Sequence, residues 1–478
     1  MEAVRLWATR NARLMRRLYS ALEAVLRRLR PLARALGAQR LEQPMAAVER
    51  TVKGFLFDCR MCGNCALAAN GMSCPTNCLK RMRNGPCGGV RADGACEVAP
   101  AMRCVFVEGW HGSQRLAAPP AQVPNPPLDH RLAGTSTWLK VVTGDTQPAT
   151  LLAPPPVAPP MVSRLQELLA GGEFAVTAEI APPDSANAKD ARRRIALFEG
   201  CVDALNVTDG SGANCHMSSL AVSVLLLQAG CEPVMQLTCR DRNRIALQGD
   251  ILGAAALGVR NLLCLTGDHV ANGDHPGARQ VGDLDGVSLL AAARGLRDDG
   301  RYLSGRVLTA APPLFLGGAD NPFAPPFEGR LAQLARKIYA GAQFVQTQYC
   351  FDLDLLDRYM ERVRAEGLDR RCHILAGVGP IGSAKTARWL RARVPGVHIP
   401  DHVVARLERA ADPREEGLRL CVELIRAIRR IPGIAGVHIM APKQEHAVAR
   451  IVAESGVLGG RAPLFRGAAP PPAPGGAP

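Results

Sequence analysis

The chain has 478 residues, 47% of them hydrophobic and 4% aromatic. That suffices for a large core of Leu, Val, Ile and Ala and, at about 100–200 residues per domain, for two to four domains. Its formal net charge is +15, but ten arginines fall within residues 1–40 and no basic–aromatic run follows, which argues against nucleic-acid binding and leaves a bias toward anionic small molecules. No stretch nears the roughly 18–20 apolar residues that span a bilayer, and the Arg-rich start lacks the apolar stretch of a secretory signal, so a cytoplasmic protein is expected.

Residues 1–45 read as a basic amphipathic helix. Leu14, Leu18, Leu22, Val25 or Leu26, and Leu29 recur at helical spacing, and Pro31 interrupts the last turns. The segment suits a packing helix, a helix that docks a partner or a membrane surface, or a targeting segment.

Residues 50–115 hold eight of the 16 cysteines, spaced Cys59-x2-Cys62-x2-Cys65-x8-Cys74-x3-Cys78-x8-Cys87-x8-Cys96-x7-Cys104. Without a secretion signal, such clustering favours metal ligation over disulfides. Cys59-x2-Cys62-x2-Cys65 opens like a ferredoxin motif, although the x8 gap before Cys74 departs from it. Four soft thiolates per site suit zinc or an iron–sulfur cluster such as 4Fe–4S, and eight thiolates make two sites. Pro-rich residues 116–163 read as a semi-rigid linker and the Pro/Gly/Ala residues 461–478 as a disordered tail.

From 164 to 460, apolar runs at 174–180, 202–207, 233–237, 261–265, 307–311, 344–348, 373–378 and 436–440 alternate with helical stretches at 188–199, 216–229, 242–257, 286–298, 328–341, 353–367, 383–394 and 415–430. Eight such units predict an α/β fold, a (β/α)8 TIM barrel preceded by the cysteine-rich domain and the N-terminal helix. A doubly wound sheet is the alternative, but no Gly-x-Gly-x-x-Gly follows the first strand.

In such a barrel, chemistry collects at the strand C-termini. Glu179 sits in an apolar strand before Pro182-Pro183; burial there would raise its pKa and let it donate a proton near neutral pH. Polar ends at Asn206-Val207-Thr208-Asp209, Gln236-Leu237-Thr238-Cys239-Arg240, Leu265-Thr266-Gly267-Asp268 and Gln346-Thr347-Gln348-Tyr349 ring the same mouth, which suits a polar, ring-bearing, anionic ligand.

These motifs, with Thr177-Ala178-Glu179-Ile180-Ala181-Pro182-Pro183 and Thr347-Gln348-Tyr349-Cys350-Phe351-Asp352, resemble in order and spacing those of methylenetetrahydrofolate reductases. The resemblance implies a TIM barrel that binds FAD and reduces 5,10-methylenetetrahydrofolate to 5-methyltetrahydrofolate, or runs the reverse. It casts Glu179 as general acid and Asp268 as the aspartate near flavin and pterin. Gln348 and Phe351 become substrate contacts, with Thr208, Gln236, Thr238, Arg240 and Lys337 in the flavin site. Two positions depart from the family. Gln236 replaces a histidine and cannot carry a proton. Arg330 replaces an aspartate that helps hold FAD, so Arg240, Arg242 or Arg244 are expected to supply phosphate contacts.

The cysteine block is similar to the small cysteine-rich domain or separate subunit that accompanies some bacterial members. Cys62-Gly63-Asn64-Cys65, Asn84-Gly85-Pro86-Cys87-Gly88-Gly89 and Cys96-Glu97-Val98 carry the likeness. It implies iron–sulfur electron delivery to the flavin, with NAD(P)H, ferredoxin or another redox protein as donor, and an oligomer is compatible with it. Two further readings stay open: a tetrahydrofolate-binding barrel in methyl transfer with structural zinc, and a non-catalytic scaffold docking a partner through the basic helix.

Overall fold

The computed structural model describes residues 2–116, 123–145, 160–394 and 396–467. Eight parallel strands close into a barrel in sequence order: β1 (Ala175–Ile180), β2 (Ala204–Val207), β3 (Glu232–Thr238), β4 (Asn261–Leu265), β5 (Phe315–Asp320), β6 (Phe344–Tyr349), β7 (His373–Val378) and β8 (Ile434–Ile439), with β8 pairing back onto β1. The expected TIM barrel is therefore present.

The fifth strand is not where sequence alone placed it. Residues 307–311 have the apolar look of a strand, yet Val307 is 60% exposed. The strand is Phe315–Asp320, disguised by Gly317-Gly318. Glycine is required at 317 because a Cβ there would stand 2.3 Å from the Phe344 ring.

Four helices precede the cysteine block: α1 (Glu2–Arg10), α2 (Ala12–Arg28), α3 (Arg30–Leu36) and α4 (Ala38–Phe57). The single helix expected over 1–45 breaks at Asn11, Leu29 and Gly37, and Pro31 takes a first-turn position of α3, where its missing N–H costs nothing. The block itself is largely loop and ends in α5 (Val105–Leu116).

Part of the expected linker is ordered. In residues 123–145, α6 (Thr137–Thr143) buries Trp138, Leu139 and Val142 against Leu26 and Ala33. The backbone N–H of Gly134 donates to the Met61 carbonyl at 2.7 Å. Pro119-Pro120 and Pro154-Pro155-Pro156 lie outside the described residues. The start of the expected tail is also folded: Arg461 pairs with Asp203 at 2.7 Å and Phe465 is buried. Residues 468–478 lie outside the described residues.

Helix α7 (Arg164–Ala170) crosses the N-terminal end of the barrel, where Leu165 and Leu169 pack with Val234, Phe315, Phe344 and Leu375. The outer helices follow: α8 (Ala188–Ala196), α9 (Ser219–Gln228), α10 (Arg244–Ala256), α11 (Gly286–Asp298), α12 (Phe327–Ala340), α13 (Leu353–Ala365), α14 (Ala384–Arg393), α15 (Asp401–Arg409), α16 (Pro413–Ile428) and α17 (Val448–Ser455). Many begin at a side-chain cap, such as Ser218 for α9, Asn243 for α10 and the Asp285–Ser288 capping box of α11. Among the described residues no helix is long and apolar enough to cross a membrane.

The cysteine module docks on the barrel through the string Asn84-Gly85-Pro86-Cys87-Gly88. Side chains of the barrel donate to its carbonyls: Gln333 to Asn84 at 2.7 Å, Arg336 to Gly85 at 3.0 Å, Arg330 to Cys87 at 2.9 Å and Asn321 to Gly88 at 2.7 Å. Asp285 accepts the backbone N–H groups of Arg83 and Asn84, both at 2.8 Å. Buried backbone groups need such partners, so the string is held as tightly as a strand in a sheet.

Candidate active site at the barrel mouth and two cysteine cavities

Inside the barrel a polar layer lies beneath Glu179. Gln346 donates to Thr177 at 3.3 Å and to Asn206 at 3.0 Å. The Thr177 hydroxyl donates to the Val437 carbonyl at 3.3 Å and meets His438 Nδ1 at 3.0 Å. With the hydroxyl proton so used, Nδ1 carries the hydrogen, and Nε2 faces the Glu179 carboxylate at 3.9 Å. Gln236 approaches the same oxygen at 3.4 Å. The Glu179 side chain is 27% exposed, more open than its apolar strand suggested, while His438 is buried. Sequence reading missed His438. Its signal was the one Glu179 gave, a titratable residue inside an apolar strand, and in the β1–β8 register it pairs with Thr177.

The other expected residues surround this centre at different depths. Thr208, just past β2, is buried and its hydroxyl has no hydrogen-bond partner among the described residues. Thr238 gives both its N–H and its hydroxyl to Asp209, at 2.8 and 2.9 Å. Asp268 is exposed past β4 and accepts the Gly212 N–H at 2.9 Å. Lys337 reaches from α12 to Asp320 at 3.5 Å and the Ala319 carbonyl. Gln348 sits at a register irregularity between β6 and β7, a device that re-aims side chains beside active sites. Phe351, two residues past the end of β6, is buried and stacked on Tyr349 with centroids 5.5 Å apart.

The arginines are already paired. Arg240 holds Asp241 and the Gly210 carbonyl, Arg242 holds Asp209 and Asp250, and Arg244 holds Asp283 at 2.6 Å and the Leu128 carbonyl. Arg330 is fully buried and turned toward the cysteine module, so it does not stand in for the aspartate.

Burial opposes the charged form of Asp283, but Arg244 holds its carboxyl down at about 2, against an ordinary 3.8. A depressed carboxyl stabilises the fold above its ordinary value and loses that contribution as pH falls through the folded one. The stability gap between the wild-type chain and Asp283→Asn is therefore expected to be full at neutral pH and to close between pH 3.8 and about 2, as followed by acid denaturation curves.

The eight cysteines divide four and four. Cys59, Cys62, Cys65 and Cys74 line one cavity together with Lys53 and Arg83. Cys78, Cys87, Cys96 and Cys104 line a second with Lys80 and Glu97. Among the described residues no three His, Cys, Asp or Glu groups converge as ligands of one ion; the thiols are spread around the cavity walls. Each cavity has a buried cation. Lys53 bonds Glu49 at 2.6 Å and Thr137 at 2.8 Å and lies 3.8 Å from Cys65 Sγ. Lys80 pairs with Glu97, which meets Cys87 Sγ at 3.7 Å. Burial pushes the Cys78 thiol up to about 12. Arg83 Nη1, buried, has no hydrogen-bond partner among the described residues. Soft thiols, buried cations and an unused donor suit an anionic iron–sulfur cluster.

Burial disfavours the Lys80 ammonium, but the charges of Glu97, Cys87 and Asp268 raise its pKa; burial, with the Lys80 charge, lowers that of His269 next to Asp268.

Comparison with known proteins decides the family. Residues 164–456 match the model for Methylenetetrahydrofolate reductase, well over half of the chain. The chain belongs to the methylenetetrahydrofolate reductase family. Residues 38–123, the cysteine module and the helix before it, match a second model, Methylene-tetrahydrofolate reductase C terminal. The chain is 25% identical over 245 residues to a probable methylenetetrahydrofolate reductase (NADPH) of Caenorhabditis elegans, covering 50% of this chain and 34% of that one. It is 27% identical over 263 residues to methylenetetrahydrofolate reductase 1 of Schizosaccharomyces pombe, covering 53% and 41%. The chain thus spans about a third to two-fifths of these relatives' own length. A solved Clostridium thermocellum protein, described as binding two copies of 5-methyl-5,6,7,8-tetrahydrofolic acid, is similar at 15% identity and a TM-score of 0.44, over 61% of this chain and 99% of that one.

Proposed function

We propose that this member of the methylenetetrahydrofolate reductase family reduces the methylene group of methylenetetrahydrofolate at the barrel mouth, or catalyses the reverse, with electrons relayed through the two cysteine cavities. The observation that carries the reading is the carboxylate of Glu179 poised over His438 and Gln236, in a barrel on whose helices the cysteine module is docked.

FAD bound at the mouth would supply the hydride chemistry. Thr208, with its unpartnered hydroxyl, suits a place in the flavin site alongside Thr238, Gln236 and Arg240, whereas Lys337 is turned from α12 to Asp320 of β5. Glu179 is the proton donor to the leaving folate nitrogen. His438, its Nδ1–H fixed by Thr177, sets Nε2 3.9 Å from the carboxylate and helps to position it. Asp268 and Gln348 orient the pterin ring. In the module, Cys59, Cys62, Cys65 and Cys74 would hold one iron–sulfur cluster and Cys78, Cys87, Cys96 and Cys104 a second, which would supply electron transfer to the flavin.

Ultraviolet–visible spectra of anaerobically purified protein, with flavin, iron and zinc assayed, test this. Flavin bands over a broad iron–sulfur shoulder are expected. A Cys87→Ser or Cys62→Ser protein should each lose about half the iron, since each removes one ligand from a different cavity. Zinc-loaded protein without flavin would instead support folate binding for methyl transfer.

A further inference from the structure

The N-terminal helices carry an apolar stripe that is left uncovered among the described residues. Leu14, Leu18, Val25, Leu29, Leu32 and Leu36 are between 41% and 56% exposed, although neighbouring Met15, Leu26 and Ala33 are buried. At about 100° per residue, Leu14, Leu18, Val25 and Leu29 fall within an arc of about 60°. Met15 and Leu26 lie next to that arc on the side that packs on the cysteine module and α6. Arg17 and Arg28 flank the other side. Residues 1–40 contain ten arginines and two glutamates, a local +8 out of a net +15 for the whole chain. Among the described residues Arg10, Arg17, Arg28 and Arg34 are exposed and make no ion pair.

We propose that α2 and α3 dock the enzyme onto an anionic membrane surface, lying in the interface plane with the leucine stripe among the acyl chains and the arginines at the headgroups. This is independent of the chemistry at the mouth. Three observations select a bilayer over a protein partner. The helix pair is strongly amphipathic but not hydrophobic overall, the pattern of interfacial helices. The stripe is entirely Leu and Val, residues poor in protein–protein hot spots, with no Tyr or Trp in it. The arginines stand in two groups toward the two ends of the stripe, at 10–17 and 27–34, which matches an extended negative surface rather than one acidic patch. No helix among the described residues is apolar enough to cross a membrane, so the contact is peripheral.

The test is flotation of the full chain with phosphatidylcholine vesicles, with and without phosphatidylglycerol. The protein is expected to float with the anionic vesicles, to lose that binding as salt rises, and to stay behind with neutral ones. A Leu18→Asp/Val25→Asp protein should bind at least about tenfold more weakly while keeping its circular dichroism and metal content. A milder Leu14→Gln/Leu32→Gln protein serves if the first misfolds. Wild-type protein that remains unbound with both vesicle types, or stripe variants that float as well as wild type, would overturn the proposal. So would concentration-dependent self-association that vanishes in the stripe variants without any vesicle binding, since the stripe would then join two copies of this chain.

Discussion

Glu179→Gln is expected to cut folate turnover by about a thousandfold, within the usual range for loss of a positioned general acid. Glutamine keeps the size of the side chain and can still accept from Gln236, which lies 3.4 Å away, but it carries no proton to give. The flavin spectrum and folate binding should survive, so the loss appears in single-turnover reaction of the loaded protein and leaves KM nearly unchanged. His438→Asn should cost less, about tenfold, because it removes a partner of the acid and leaves the acid itself. Full activity in Glu179→Gln would mean that the proton comes from elsewhere and would remove Glu179 from the mechanism.

Arg330→Met should be the most damaging change away from the mouth. Its guanidinium is fully buried and donates to three carbonyls, those of Ala324 at 2.6 Å, Cys87 at 2.9 Å and Pro325 at 2.6 Å. Methionine fills much of the volume but leaves those acceptors without a donor, a loss of about 3 kcal/mol or more at the usual cost per buried unsatisfied group. Because one of the three belongs to Cys87, the lining of the second cavity should loosen as well. A lower melting temperature together with loss of about half the iron is expected from calorimetry and metal analysis. A stable variant with full iron content would show that the docking string does not depend on this arginine.

Arg330 also shows what a sequence can and cannot give. Its departure from the family pattern was visible, and the natural expectation was a changed grip on FAD. The structure gives it a different task because α12 faces the cysteine module there, a tertiary fact that no spacing along the chain encodes. The barrel was legible because seven of its strands are continuous apolar runs between helical stretches, and the fifth was not because Gly317 must make room for Phe344. Glu179 was found through a motif, whereas His438 reads as an ordinary buried histidine until the closing pair β1–β8 brings it to Thr177. The eight cysteines announced two sites, but their division at Cys74 and Cys78, with Lys53 in one cavity and Lys80 in the other, follows from loops whose paths carry no periodic signal.

The helix that crosses the bottom of the barrel bears on the kinetics. With Leu165 and Leu169 of α7 filling that end, small-molecule traffic has one doorway, the mouth. The cysteine module, however, is anchored at the side, on α11 and α12. Under the proposed reading, reducing equivalents come in through the wall while folate uses the doorway, so neither has to leave before the other arrives. Product inhibition should then show two sites: methyltetrahydrofolate should compete with methylenetetrahydrofolate and not with the electron donor, the reverse of an enzyme in which donor and acceptor take turns in one pocket.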